Sequence, residues 1–460
     1  MDYESRKVKW YWVFAFCAYC VAVAYLLFKG NPLLYSKLDL RSSLDQGEFV
    51  HRQTIPAHPE EIAESAPTFY QRYNFQRTAT DPQNSPRAKG YEEYEHKAID
   101  FEAENLDAQN VTGDASGFFV SGKTPWAAAI SADGSIRWKY RFKDLPAGKA
   151  IYPVLVDENS AYLIHPMGDV VCLNKATGEI RWVNSVKSEV VADPVIWKKA
   201  LIIPSKSSNG VQMIGVDRVT GHVDEDSPNL DLKPGFLLSH APELGALIAT
   251  VDNNVIALDP TEWQMLWSVT LTDPIKGPVV VAGTQLYAAT LAAKVVKIDG
   301  AKKGKVDWEA EIVKPPASSP TYLPAMNRLS ILDTSGALSH IDAKSGKVYW
   351  RVAAENRNPL TDTWSARLKS KYIEEYSMDW LHKGWTIWTP CYDSSFCVFT
   401  PKSGLITRIK LSGRPVALPV ALDHRWLFLS HTKGSEYVVS QMLEDAEIKQ
   451  IKAEKEKPAN

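Results

Sequence analysis

Chemistry in this chain would have to come from few residues, and the thiols come first. The five cysteines are Cys17, Cys20, Cys172, Cys391 and Cys397. Cys17 and Cys20 have the spacing of a redox or haem-attachment pair, but Val21 stands where a haem motif needs His, and both lie in an apolar run. Cys172 falls in a strand-like run and reads as a small buried apolar residue. Two strands joined between Cys391 and Cys397 would bring these two together as a hairpin disulfide in an oxidising compartment, and free buried thiols are the other reading. The ten histidines are scattered, with no His-Glu-x-x-His, no zinc-like Cys/His spacing, no Gly-x-Ser-x-Gly and no glycine-rich phosphate loop. The sequence therefore assigns no catalytic residue, no metal ligand and no cofactor-binding residue, and the chain is expected not to be an enzyme. Net charge is −2, which gives no reason to expect nucleic acid.

Aromatic residues are the richer resource. Trp138, Trp182, Trp267, Trp308 and Trp350 recur at one place in a repeated pattern, and a flat ring at a fixed repeat position most simply packs between neighbouring units. The pattern is clearest at 341–350, IDAKSGKVYW, where an apolar run ends, a turn with a free glycine follows, and alternation resumes. Residues 174–182 read NKATGEIRW, 259–267 DPTEWQMLW, 299–308 DGAKKGKVDW and 130–138 ISADGSIRW. Residues 217–225 read DRVTGHVDE, without the tryptophan, and 400–408 read TPKSGLITR, with Arg408 in its place. The starts are spaced by 44, 43, 42, 40, 43 and 58 residues. A period of 40–45 residues built of short strands is the signature of a β-propeller.

The turn [DN]-x-x-[TS]-G-x-[IV]-x-W resembles the repeat of the PQQ-like propellers, which include the quinoprotein dehydrogenases and the BamB-type assembly propellers. The resemblance covers roughly residues 118–442. It implies an all-β fold of four-stranded antiparallel blades, expected here to number seven within a range of six to eight. The quinone-binding branch resembles a pattern with adjacent cysteines, a stacking tryptophan and calcium ligands. No adjacent cysteine pair occurs here. The resemblance thus implies a BamB-like, non-catalytic interaction scaffold with no cofactor, and a quinoprotein-type dehydrogenase or other enzyme with a ligand in the axial funnel is the alternative.

Residues 10–28, WYWVFAFCAYCVAVAYLLF, carry no charge and as a helix would span about 28 Å, so a single transmembrane anchor is expected. Trp10, Tyr11 and Trp12 would sit in an interfacial belt. No small-residue cleavage site follows, and Phe16 and Tyr19 before the cysteines do not suit a lipoprotein signal. Arg6, Lys7 and Lys9 lie in the short segment 1–9, expected to stay in the cytoplasm, with the propeller in the periplasm and the anchor in the inner membrane. Residues 29–117 are expected to be an acidic polar tether, since 41–114 hold 7 basic and 14 acidic residues. Its Phe69, Tyr70, Tyr73 and Phe75 would bind a partner or dock on the propeller. Asn110-Val111-Thr112 fits a glycosylation acceptor. The last repeat lacks an outer strand, and the segment near 127–130 is the expected donor. Residues 443–460 read as a charged tail.

The 58-residue spacing exceeds the others by about 16 residues, and the excess falls in 352–388, among Trp364, Tyr372, Tyr376, Trp380, Trp385 and Trp388. Insertions in propellers lie on loop faces, and Trp and Tyr are frequent interface anchors. These residues are the candidate protein-partner surface, such as one for an envelope or outer-membrane assembly complex. Packing of the insertion on its own blade is the other reading.

Overall fold

The computed structural model describes residues 80–85, 91–224, 229–317, 319–334, 337–353, 364–368, 385–390, 395–400, 404–416, 420–422, 425–444 and 448. All belong to one compact unit, 52–460. The expected anchor at 10–28 lies outside the described residues, among which no helix is long and apolar enough to cross a membrane.

The described strands form eight sheets: seven contain four antiparallel strands in consecutive order, the eighth takes its outer strand from 91–100, the seventh gains a fifth, parallel strand, and the third and eighth each include a split strand. They occupy 110–141, 155–185, 195–230, 237–270, 280–311, 321–353, 364–410 and 414–444. This is the architecture of a β-propeller. Middle strands such as Ser160–Ile164 and Ala246–Val251 read as nearly continuous apolar runs because neighbouring sheets cover both their faces. One apolar cluster joins Leu155, Tyr162 and Cys172 to Ile196, Leu201 and Ile214, which couples the second sheet to the third. Another joins Val420, Leu427 and Val439 of the eighth sheet to Val111, Phe118 and Ile130 of the first, which closes the ring.

Seven blades were expected, and the described residues make eight sheets. The eighth has no copy of the repeated turn, because its outer strand does not follow from its third. That strand is Tyr91–Asp100, paired antiparallel to Glu436–Glu444. The expected donor near 127–130 is instead the third strand of the first sheet, Trp126–Ser131. The propeller also begins before residue 118: Asn110–Asp114 is the inner strand of the first sheet. The expected tether thus holds the strands Thr80–Ser85, Tyr91–Asp100 and Asn110–Asp114, and residues 29–79 lie outside the described residues. The glycosylation reading also meets a structural use of its residues. Asn110 Nδ2 donates to the Ile151 carbonyl at 2.8 Å, and buried Thr112 Oγ1 donates to the Val154 carbonyl at 2.9 Å. At the other end, the last strand runs to Glu444, two residues into the expected tail.

Thr80–Ser85 pairs in parallel with Trp364–Leu368, the innermost strand of the seventh sheet. It also touches Thr321–Leu323 and Val420–Leu422, inner strands of the sheets on either side.

Candidate functional site

The repeated turn is held by its acidic or amide residue. Asp217 Oδ1 accepts from the Val219 and Thr220 N–H groups at 2.9 and 2.8 Å, and Asp342 Oδ1 accepts from Lys344 and Ser345 at 3.0 and 2.7 Å. Asn174 does the same with Ala176 and Thr177. These bonds from Thr220 and Val219 hold the Asp217 carboxyl below the usual carboxylate range. After each turn that leads to a tryptophan the strand ladder slips by one residue, as between Trp182 paired with Cys172 and Ile180 paired with Leu173, whereas the third sheet, without the tryptophan, keeps its register from Val223 to Asp224. The same slip precedes Trp138, Trp267, Trp308 and Trp350. Such a bulge re-aims the side chain that follows it.

The aim is toward the next sheet's turn. Trp138 Nε1 donates to the Lys175 carbonyl at 2.9 Å, Trp182 Nε1 to Arg218 at 3.0 Å, and Trp308 Nε1 to Lys344 at 3.0 Å. The glycine of that turn lies flat against the ring. A Cβ on Gly221 would stand 2.7 Å from Trp182 Cδ2, and Gly178, Gly304 and Gly346 meet Trp138, Trp267 and Trp308 in the same way. Trp350 is buried and stacked on His340 at 4.9 Å. The rings of Trp138, Trp182, Trp267 and Trp308 are thus spent on sheet-to-sheet packing, while the stated contact of Trp350 is with its cross-strand partner.

In the seventh sheet the ladder slips one residue earlier, so Thr407, not Arg408, stands at the position after the bulge. Trp364 pairs with Trp388 and Arg367 with Trp385, on the two inner strands Trp364–Leu368 and Trp385–Pro390. Three of the six candidate partner aromatics thus belong to the sheet, while Tyr372, Tyr376 and Trp380 lie outside the described residues. Cys397 pairs in register with Thr389, and Cys391 also lies outside the described residues. Cys172 is buried and unbonded, and burial pushes its thiol up.

Two polar clusters escaped the sequence reading because their members are distant in the chain. Ser330 Oγ lies 2.9 Å from His340 Nδ1, the spacing of a nucleophile and its base. Both are fully buried, and burial holds the imidazole neutral, at about 3. Arg328 bridges Asp342 and Tyr349, with its guanidinium 3.8 Å over the Tyr349 ring. For Asp342, burial alone would raise the carboxyl, but hydrogen bonds from Ser345 and the Arg328 charge outweigh it and leave it lowered. This cluster staples the sixth sheet's turn. Among the described residues no group of three or more His, Cys, Asp or Glu could hold a metal.

Two surfaces remain. The inner edge of the seventh sheet is covered by the chain's own strand, Thr80–Ser85. The outer rim exposes large apolar side chains on the second to fourth sheets: Ile180 and Val183, Val219, and Met265 and Leu266.

Residues 111–224 and 231–370, more than half of the chain, match the family described as outer membrane protein assembly factor BamB. No curated protein matches the sequence significantly. Among solved structures, BamB from Moraxella catarrhalis is similar over 76% of this chain and 100% of its own, with TM-score 0.53 at 16% identity. A europium-containing methanol dehydrogenase is similar over 80% of this chain and 90% of its own, with TM-score 0.57 at 11% identity. Quinohemoprotein alcohol dehydrogenase from Comamonas testosteroni is similar over 82% and 80%, with TM-score 0.56 at 12% identity. At these identities the likeness shows the fold alone.

Proposed function

Because the chain belongs to the family described as outer membrane protein assembly factor BamB, we propose that it is a membrane-anchored, non-catalytic protein-interaction scaffold of the cell envelope. The observation that carries this reading is the position of Thr80–Ser85. It takes up the inner edge of the seventh sheet and touches the inner strands of both neighbouring sheets, where a ligand entering along the axis would need room. The uncharged run 10–28 supports a single-pass anchor, with the short basic N-terminus in the cytoplasm and the propeller in the periplasm. Residues 369–384, with Tyr372, Tyr376 and Trp380, are one candidate contact for an envelope protein partner.

The alternative is a quinoprotein-type enzyme, and one preparation separates the two. The full chain, purified from membranes in mild detergent, is supplied with pyrroloquinoline quinone and calcium or a lanthanide, then assayed for dye-linked alcohol oxidation. We expect no turnover and no retained quinone, together with co-purification of a protein that Tyr376→Ala/Trp380→Ala releases. Stoichiometric retained quinone, or dye reduction, overturns the proposal.

A further inference from the structure

We propose that the outer edge of the strand Met265–Thr270 is a docking site for an extended, acidic segment of a partner protein, which adds to the fourth sheet as a further strand. The proposal rests on the scaffold reading above and gives it a site.

An outer strand has one edge whose N–H and C=O groups have no ladder partner, and proteins usually guard such edges with charge, proline or shortness. The other outer strands here are guarded. Ile136–Arg141 and Lys305–Glu311 are rich in charge, and Ile180–Ser185, Val348–Ala353 and Gly404–Lys410 each carry at least one Arg or Lys. The third sheet ends in two-residue pieces, Val223–Asp224 and Asn229–Leu230. The eighth is capped by the charged strand Tyr91–Asp100. Met265–Thr270 reads MLWSVT, with no charge and no proline, and is alone in this among the long outer strands described. Met265 and Leu266 are 60% and 42% exposed, and Ser268 and Thr270 are also exposed.

The charge beside this edge selects the occupant. The fifth sheet's turn lies directly on the strand: a Cβ on Gly304 would stand 2.7 Å from Trp267 Cε3 and 3.3 Å from Val269 Cβ. That turn presents Lys302, Lys303 and Lys305, all exposed. Lys302 is tied to Asp299 at 2.9 Å. Lys303 and Lys305 have no ion-pair partner among the described residues. Glu262 before the strand and Asp273 after it are the nearest acidic residues in sequence, and Asp273 faces Lys294 at 3.7 Å. A strand that follows this edge therefore meets an apolar side and two unpaired cations. Main-chain bonds supply affinity in such pairing, and side chains supply selectivity.

The test uses the full chain in detergent and three capped peptides as probes: one alternating valine and glutamate, its lysine counterpart, and the glutamate peptide interrupted by proline. We expect the glutamate peptide to bind, with slowed amide exchange at 265–270. The lysine and proline peptides should bind at least about tenfold more weakly. Ser268→Glu, at an exposed position, and Lys303→Glu/Lys305→Glu should each weaken the glutamate peptide by about tenfold, with unchanged melting temperature. Equal binding of the proline peptide, protection elsewhere, or indifference to these variants overturns the proposal. So does slow exchange at 265–270 before peptide is added if deleting residues 52–79 abolishes it, since the chain itself is then the occupant. An oligomer lost in Ser268→Glu would assign the edge to a second copy and equally overturn it. If Ser268→Glu still co-purifies its membrane partner, the edge proposal fails while the scaffold reading stands, whereas alcohol oxidation sinks the scaffold reading alone.

Discussion

Replacing Trp263 by glycine tests how the sheets are coupled. Gly178, Gly221, Gly304 and Gly346 share one turn position at positive φ, each with its N–H on the carbonyl of the turn's first residue. In the fourth sheet Trp263 holds that position at φ 52, and its N–H donates to the Asp259 carbonyl at 2.9 Å. The repeat puts Glu225 where the third sheet would carry its tryptophan. The ring has in effect changed sides. Trp263 is buried in the apolar cluster that joins Val195, Ile202 and Met213 of the third sheet to Leu247 and Leu258 of the fourth. Deleting a buried tryptophan side chain costs about 3–5 kcal/mol. Glycine at this φ recovers about 1 kcal/mol of left-handed strain, so Trp263→Gly should lose about 2–4 kcal/mol. Trp263→Phe, which keeps an aromatic ring in the cluster, should lose less. Urea midpoints followed by far-ultraviolet circular dichroism measure the difference, provided the slopes match. If Trp263→Gly is as stable as the natural chain, the ring does not couple these sheets, and the exchange of partners is an accident of sequence.

Gly221→Ala and Gly245→Ala separate contact from conformation. Both sites have positive φ, +74 and +62, but a Cβ meets Trp182 at 2.7 Å in the first and nothing within 4 Å in the second. Gly245→Ala should cost about 1–2 kcal/mol and Gly221→Ala a further 1–3 kcal/mol, and equal losses in melts of the two variants would discard the docking argument. Glu93 ties the closing strand to the approach to the eighth sheet, with its carboxylate accepting from the Ser412 N–H and, at 3.2 Å, the Ser412 hydroxyl. Burial pushes its carboxyl up from 4.5 despite these bonds and those from Ser440. A raised acid favours the fold most below its unfolded value and loses that contribution as pH rises through the folded value. The melting temperature of Glu93→Gln minus that of the natural chain should therefore grow more positive from pH 4 to pH 7, and a difference that falls over this range would refute the assignment.

The period was legible because the repeated turn makes demands on the backbone that only certain residues meet. Asp or Asn accepts the turn's N–H groups, and the residue at positive φ is glycine in the first, second, third, fifth and sixth sheets, with Trp263 in the fourth. The blade number came out one short for a related reason: the eighth sheet takes its outer strand from Tyr91–Asp100 and needs no such turn. That strand reads YEEYEHKAID, and so many charges resemble a solvated tether, although charge is also how an outer strand guards its edge. Thr80–Ser85, TDPQNS, was invisible because it is held in the ladder through its backbone, which leaves no apolar pattern. Trp364, Trp385 and Trp388 were read as surplus because their strands are separated by the long stretch 369–384 and so break the hairpin pattern. The same limit applies to the edge at Met265–Thr270. Strand addition is recognised mostly by main-chain groups, which every sequence has, so the sequence marks such a site only by the charges it lacks. Composition is therefore informative there only against the other outer strands, once the fold shows which strands those are.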